Sequence, residues 1–179
     1  VPKTRPHHHH ASDEEIRGWF TGRLPDDWFI GPVDVSIDRD EIIVTGTIAA
    51  PDVPEGEASE AKASAIAARI GGFREDTRGR RMRIADEAQH RFGRTVSWGV
   101  ICADQRMPFT TLSVPAMTRL RQAERRVLDT LVDAGVARSR SHALAWCVRL
   151  VAERQDEWLR DLRDALTKVE QVRAEGPKD

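Results

Sequence analysis

The sequence has few of the residues from which enzyme sites and membrane anchors are built. Outside the run His7 to His10 it holds only His90 and His142, which are not spaced as a metal-binding pair on one helix face. There is no Cys-x-x-Cys, no Gly-x-Ser-x-Gly elbow and no Walker glycine loop. Adjacent carboxylates such as Asp26 and Asp27 point apart rather than across a substrate. His90 and Cys102 would need two further ligands to hold zinc. The expectation is therefore a non-enzyme with no cofactor and no metal. No apolar run approaches the roughly 20 residues of a membrane span, and the first residues lack the apolar core of a secretory leader. Cys102 and Cys147 lie far apart on apolar patterns, as buried thiols of a reducing cytoplasm would. Lysine occurs only at Lys3, Lys62, Lys168 and Lys178. The cationic charge is thus nearly all arginine, which suits bidentate contacts to phosphate and guanine; a GC-rich coding sequence produces the same bias.

What is present is unevenly distributed. The 179 residues carry a net charge of -1 and are 40% hydrophobic, enough to bury a core. From Ser12 to Glu60 thirteen acids face only Arg17, Arg23 and Arg39, whereas from Arg69 to Arg126 thirteen arginines face six acids. Such polarity fits a cationic binding face beside an acidic domain that stays off nucleic acid, and it fits equally an electrostatic contact between the two parts.

Taken in order, residues 1–11 are expected to be a disordered tail, its four histidines native or a tag remnant. Residues 12–114 are expected to form an α+β domain. Ser12 with Glu15 is a capping box for a short helix carrying Ile16, Trp19 and Phe20. These aromatics, with Trp28 and Phe29, suggest a small local core, because their neighbours Asp26 and Asp27 would repel phosphate. Val33 to Ile37 alternates, Asp38 to Asp40 is turn-like, and Glu41 to Ile48 is β-branched, which predicts a hairpin. An acidic flexible linker is expected over 50–58. From Ser59 to Phe92 a helical face of Ile66, Ile70, Phe73, Thr77, Ile84, Ala88 and Phe92 follows, with Gly71-Gly72 as the expected division into two helices. The run Arg78, Arg80, Arg81 and Arg83 on this element is a second basic patch, read either as a solvated face or as a phosphate-contacting surface. Thr95 to Ala103 is a strand, against which Phe109 to Val114 is expected to pair. The outline of helix, strand, strand, helix, helix, strand resembles an RNA-binding type II KH domain, although Ile70-Gly-Gly-Phe-Arg74 lacks the second glycine of a Gly-x-x-Gly clamp.

The most informative stretch is Met117 to Val151. Met117, Arg119 and Arg121 alternate with Thr118, Leu120 and Gln122, as on a strand with one cationic side. A helix from Glu124 to Ala134 carries Val127, Leu128, Leu131 and Val132 on one face, and Gly135 suits a left-handed cap. Ser139 or Ser141 then caps a second helix whose N-terminus, beside Arg138 and Arg140, is suited to phosphate. This order resembles the ribbon-helix-helix superfamily of the MetJ and Arc class, over about a fifth of the chain. It departs from that pattern in having Ala123 where a proline often starts the helix and His142 where a glutamate is common. The resemblance implies a dimer that reads DNA with a two-stranded ribbon. It would put Met117, Arg119 and Arg121 on bases, and Arg138, Ser139, Arg140 and Ser141 at phosphate.

Beyond Ala143, Leu144, Val148, Val151, Gln155, Trp158, Leu162, Ala165, Val169 and Val172 step alternately by four and three, the spacing of a coiled coil, with Gln155 as a register-fixing polar core residue. The expected organisation is therefore α+β: an N-terminal hairpin, long-helix and strand domain, a ribbon-helix-helix-like segment at 115–154, and a dimerisation helix at 155–176. The expected function is a homodimeric, sequence-specific binder of double-stranded DNA in the cytoplasm, nucleoid-associated, whose N-terminal domain receives a protein or small-molecule effector and does not touch a membrane. The alternatives are an RNA-binding protein with a KH-like first domain and an adaptor that works through its coiled coil alone.

Overall fold

A computed structural model describes residues 11–54 and 58–175. Of the tail expected over residues 1–11, only Ala11 is described, and it packs against the core; residues 1–10, the centre of the linker at 55–57 and the Gly176-Pro177 stop lie outside the described residues. The chain divides between Pro115 and Ala116 into two compact units, and it is an α+β protein with a long C-terminal helix. No helix among the described residues is long and apolar enough to cross a membrane.

The first unit runs α1 (Asp13–Arg23), β1 (Asp34–Ile37), β2 (Glu41–Ile48), α2 (Ser59–Asp76), α3 (Arg78–Phe92), β3 (Thr95–Cys102) and β4 (Gln105–Pro108). Ser12 caps α1 by accepting from the Glu15 amide at 3.1 Å. The expected hairpin forms: β1 and β2 pair antiparallel, and Asp38 Oδ1 accepts from the amides of Asp40 and Glu41 at 2.8 and 2.7 Å to close the turn. Strands β2 and β3 pair in parallel, which requires a crossover, and α2 with α3 supplies it. Alternation on the two central strands turns Ile42, Val44 and Ile48, with Val96, Trp98, Val100 and Cys102, onto one face. There they meet Ile16 and Phe20 of α1 and Ile66, Ile70, Ile84 and Ala88 of the long helices. The four early aromatics belong to this main core rather than to a local one, with Trp28 making edge contacts to Phe29, Phe73 and Trp98. Gly46 is required where it stands, since a Cβ there would lie 2.3 Å from the Phe29 ring.

Two further expectations for this unit are corrected. The long helix divides at Thr77, not at Gly71-Gly72, which lie inside α2. The Thr77 hydroxyl donates to the Phe73 carbonyl at 2.6 Å and accepts from Arg81 Nε at 2.9 Å, while Arg81 NH2 donates to the Arg74 carbonyl at 2.6 Å. Side chains thereby supply bonds to the carbonyls of the last turn of α2, whose helical partners run out at the junction. The strand returning on β3 is Gln105–Pro108, not Phe109 to Val114, and Ala103 takes a φ of 53° in its tight turn. Pro108 has no N–H to continue a ladder. Beyond it Phe109 still donates to the Trp98 carbonyl, and Leu112 donates to the Glu41 carboxylate.

The second unit consists of α4 (Gln122–Asp133), α5 (Arg140–Arg154) and α6 (Asp156–Glu175). Residues 116–121 form no ladder within the single chain. The continuous heptad helix expected through Gln155 is also corrected. Gln155 leaves the helical region with φ -122° and ψ 26°, and the apolar stripe is divided between α5 and α6. The charges explain the break: Arg154 ends α5 while Asp156 and Glu157 open α6, each sign at the dipole end that favours it.

Replacing Thr77 by Val should remove both hydroxyl bonds at the α2–α3 junction and lower stability by about 1–3 kcal/mol. Denaturant unfolding measures this, and an unchanged midpoint would contradict the junction's role.

Candidate nucleic-acid interface

The second unit has a small core of Leu128, Ala137 and Ala143, with Leu120, Leu131, Val132, Leu144 and Cys147 packed around it. Leu120 is the inward-facing residue of the segment before α4. Met117 is fully exposed, and Arg119 and Arg121 are exposed. The segment is held to the helix at two points: Arg125 donates to the Leu120 carbonyl at 2.7 Å, and the Arg121 amide donates to the Glu124 carboxylate. That carboxylate satisfies a free amide at the helix start. Among the described residues of this unit neither Arg119 nor Arg121 is ion-paired.

The corner between α4 and α5 is built from local signals. Gly135 adopts φ 74°, and the amides of Gly135 and Val136 donate to the carbonyls of Val132 and Leu131, both at 3.0 Å. This is the left-handed glycine cap that a helix ending in Ala134-Gly135 predicts. Ser139 is the cap of α5, accepting from the His142 amide at 3.2 Å. His142 reaches back through Nδ1 to accept from the Arg138 amide at 3.2 Å. The histidine that replaces the expected glutamate thus reaches toward the chain before the cap, as a capping-box partner does.

Arg140, expected at phosphate, is paired with Asp129. Its Nε and NH2 donate to the two carboxylate oxygens at 2.6 and 2.8 Å, joining α4 to α5. The bond from Arg140 holds the Asp129 carboxyl below the usual carboxylate range, and the partnership raises the arginine. The pairing is eleven residues apart and carries no sequence signal of its own. Arg138, Ser139 and Ser141 remain exposed around the start of α5.

The second basic patch does not survive as a unit. Arg81 is 6% exposed and belongs to the core side of α3, because Thr77, Arg81, Ile84 and Ala88 share one helical face. Arg80 lies over the Trp28 ring at 5.3 Å and 3.9 Å from Asp27. Only Arg78 and Arg83 stay exposed without an ion-pair partner among the described residues. The charge polarity of the chain is partly resolved inside the first unit, where Arg91 pairs with Glu15 and Arg106 with Asp34.

On α6 the stripe Trp158, Leu162, Val169 and Val172 is exposed throughout, between 43% and 68%. That apolar strip has no cover within the described chain.

Comparison with known proteins gives consistent boundaries. Residues 14–108 match the family described as "Rv1265-like protein, N-terminal domain", and residues 121–173 match the "Mb1296 C-terminal domain". Relatives include uncharacterized protein Mb1296 of Mycobacterium bovis and uncharacterized protein Rv1265 of Mycobacterium tuberculosis. Each is 57% identical over 159 residues, covering 89% of this chain and 69% of the relative. No solved structure matches. The chain belongs to the Rv1265-like family.

The lowered Asp129 pKa has a sign that can be tested. The carboxylate contributes stability above its unfolded value of about 3.9, and this is lost as pH falls through the depressed folded value. Asp129→Asn should therefore lower the melting temperature at pH 7 and match the native chain at the acid end of that window. A difference that persists unchanged at low pH would contradict it.

Proposed function

For this member of the Rv1265-like family we propose a dimeric, sequence-specific DNA-binding protein, acting as a transcriptional regulator or nucleoid-associated factor. The observation that carries the proposal is the inward turn of Leu120, which leaves Met117, Arg119 and Arg121 exposed on a segment that pairs with no strand among the described residues. Two such segments, one from each copy, would pair across a two-fold axis into a ribbon that fits the major groove. Arg119 and Arg121 would then meet base edges, and guanine, with two acceptors in that groove, is their natural partner.

The start of α5 supports the same placement. The exposed residues Arg138, Ser139 and Ser141 lie together at this helix start, and a guanidinium with two hydroxyls beside a helix N-terminus is a donor set that holds a backbone phosphate. Arg140, tied to Asp129, would set the angle between the helices rather than bind DNA directly. The exposed stripe on α6 supplies a second surface for the partner copy, flanked by charges of both signs as in coiled coils. A KH-like role for the first unit is less well supported. Its helix order agrees, but the junction between α2 and α3 is Asp76-Thr77-Arg78-Gly79 rather than a Gly-x-x-Gly loop.

A gel-shift series with DNA selected from genomic fragments and with random duplexes tests the proposal. Arg119→Ala should reduce discrimination between them by about 1–3 kcal/mol, roughly 5- to 150-fold. Arg138→Ala should weaken both alike and reduce the salt slope by about 1. Equal, negligible binding of both duplexes by the native chain would sink the DNA reading and favour an adaptor.

A further inference from the structure

The first unit contains a cleft of about 380 Å³ where the α2–α3 junction faces β3 and the start of the segment after β4. Its size falls within the range of small-molecule sites. Arg74, Arg78 and Arg81 line it, with Glu75 as the one acid. Arg81 is buried, yet no carboxylate among the described residues lies within ion-pair distance of it. Its guanidinium lies 4.8 Å from the centre of the Phe109 ring, and that of Arg74 lies 5.8 Å from the same ring. Two like charges are thus gathered on one aromatic with a third at the rim. Burial is the first cause of a lowered Arg81 pKa, and the charge of Arg74 is the second. A buried cation is ordinarily paired, since desolvation without a counter-charge is costly.

We propose that this cleft binds a phosphate monoester carried on a body of about nucleotide size. Three arginines and one glutamate leave two positive charges in the wall. A phosphate monoester carries about -1.5 to -2 at neutral pH and matches that surplus, where a carboxylate would leave half of it unmet. The volume corresponds to roughly a dozen waters at about 30 Å³ each, more than a bare phosphate fills. The remaining wall is Met82, Val96 and Trp98, with Thr110 at hand for a hydroxyl or amine. The exposed Arg74 and Arg78 close on the phosphate, and Arg81 supplies a fixed charge whose position the helix junction sets. This inference is independent of DNA binding by the second unit.

Calorimetric titration of the full chain with AMP, ribose 5-phosphate, inorganic phosphate and adenosine is the test. One saturable site per chain is expected for AMP or ribose 5-phosphate, with adenosine and inorganic phosphate at least tenfold weaker. The Arg74→Ala, Arg78→Ala double variant should lose at least tenfold in affinity for the ester. Arg78→Glu alone should show the same loss, and being at an exposed position it keeps the result readable if removal of Arg74 disturbs folding. Absence of saturable binding by both esters would overturn the proposal, as would adenosine or inorganic phosphate binding as tightly. Unchanged affinity in Arg78→Glu, or binding of single-stranded RNA without binding of either ester, would overturn it too.

Discussion

The C-terminal unit depends on one apolar contact, the packing of Leu120 against Leu128, Ala137 and Ala143. Full burial of a leucine contributes about 1.5–3 kcal/mol, and this one is half-buried, so the contact is modest in energy. Its consequence is geometric. Once Leu120 is turned inward, the residues on either side of it face outward, and those are Arg119 and Arg121. The glycine cap at Gly135, the serine cap at Ser139 and the Asp129–Arg140 pair then hold α4 and α5 at a defined corner, so that the segment before α4 and the start of α5 have a fixed relation. A fully exposed Met117 and an exposed apolar stripe on α6 are poorly suited to a lone chain in water, and in the proposed dimer a second copy would cover both.

Charge is arranged differently in the two units. In the first, carboxylates of α1 and β1 meet arginines that come later in the sequence, through Glu15–Arg91 and Asp34–Arg106, while Arg23 of α1 forms a two-bond pair with Glu87. Exposed pairs of this kind contribute little to stability. They do cancel charge. Arginines without an ion-pair partner among the described residues gather at the cleft beside α2 and α3, as Arg74, Arg78 and Arg81, and in the segment before α4, as Arg119 and Arg121. Each is where an anion has been proposed, and the anions differ. The anion proposed for the cleft is a small dianion, and the one proposed for the exposed segment before α4 is a polymer.

Much of the fold was legible because its causes are local. Alternation marked β1 and β3, β-branched residues marked β2, a three-to-four period marked the long helices, and Ser12, Gly135 and the pair Ser139 and Ser141 announced their caps. What was not legible depended on partners remote in sequence or on phase. Gly71-Gly72 looked like a break, yet glycine in a helix costs only about 1 kcal/mol; the real break needs Thr77 and Arg81 to satisfy carbonyls, which shows only once the helices are placed. The run from Arg78 to Arg83 looked like one patch because charges were counted without helical phase, and phase turns Arg81 inward. Gln155 looked like a core position because the spacing runs through it. The signal that could have located the break was present in Arg154 followed by Asp156 and Glu157. Of the candidate site, the caps and the outward arginines follow from the residues alone, whereas the Asp129–Arg140 pair does not. The ribbon itself is beyond any single chain, since each strand's hydrogen-bond partner would be a second copy.

The most direct measurement of that ribbon is residue-resolved amide hydrogen exchange over Thr118, Arg119 and Leu120 at a concentration where the chain sediments as a dimer. Pairing across a two-fold axis gives slowed exchange at alternate amides, as inward-facing ladder bonds require, and dilution into the monomer removes the protection. Exchange of all three at the rate of an unstructured peptide while the chain remains dimeric would contradict the ribbon, and with it the basis for DNA recognition by Arg119 and Arg121.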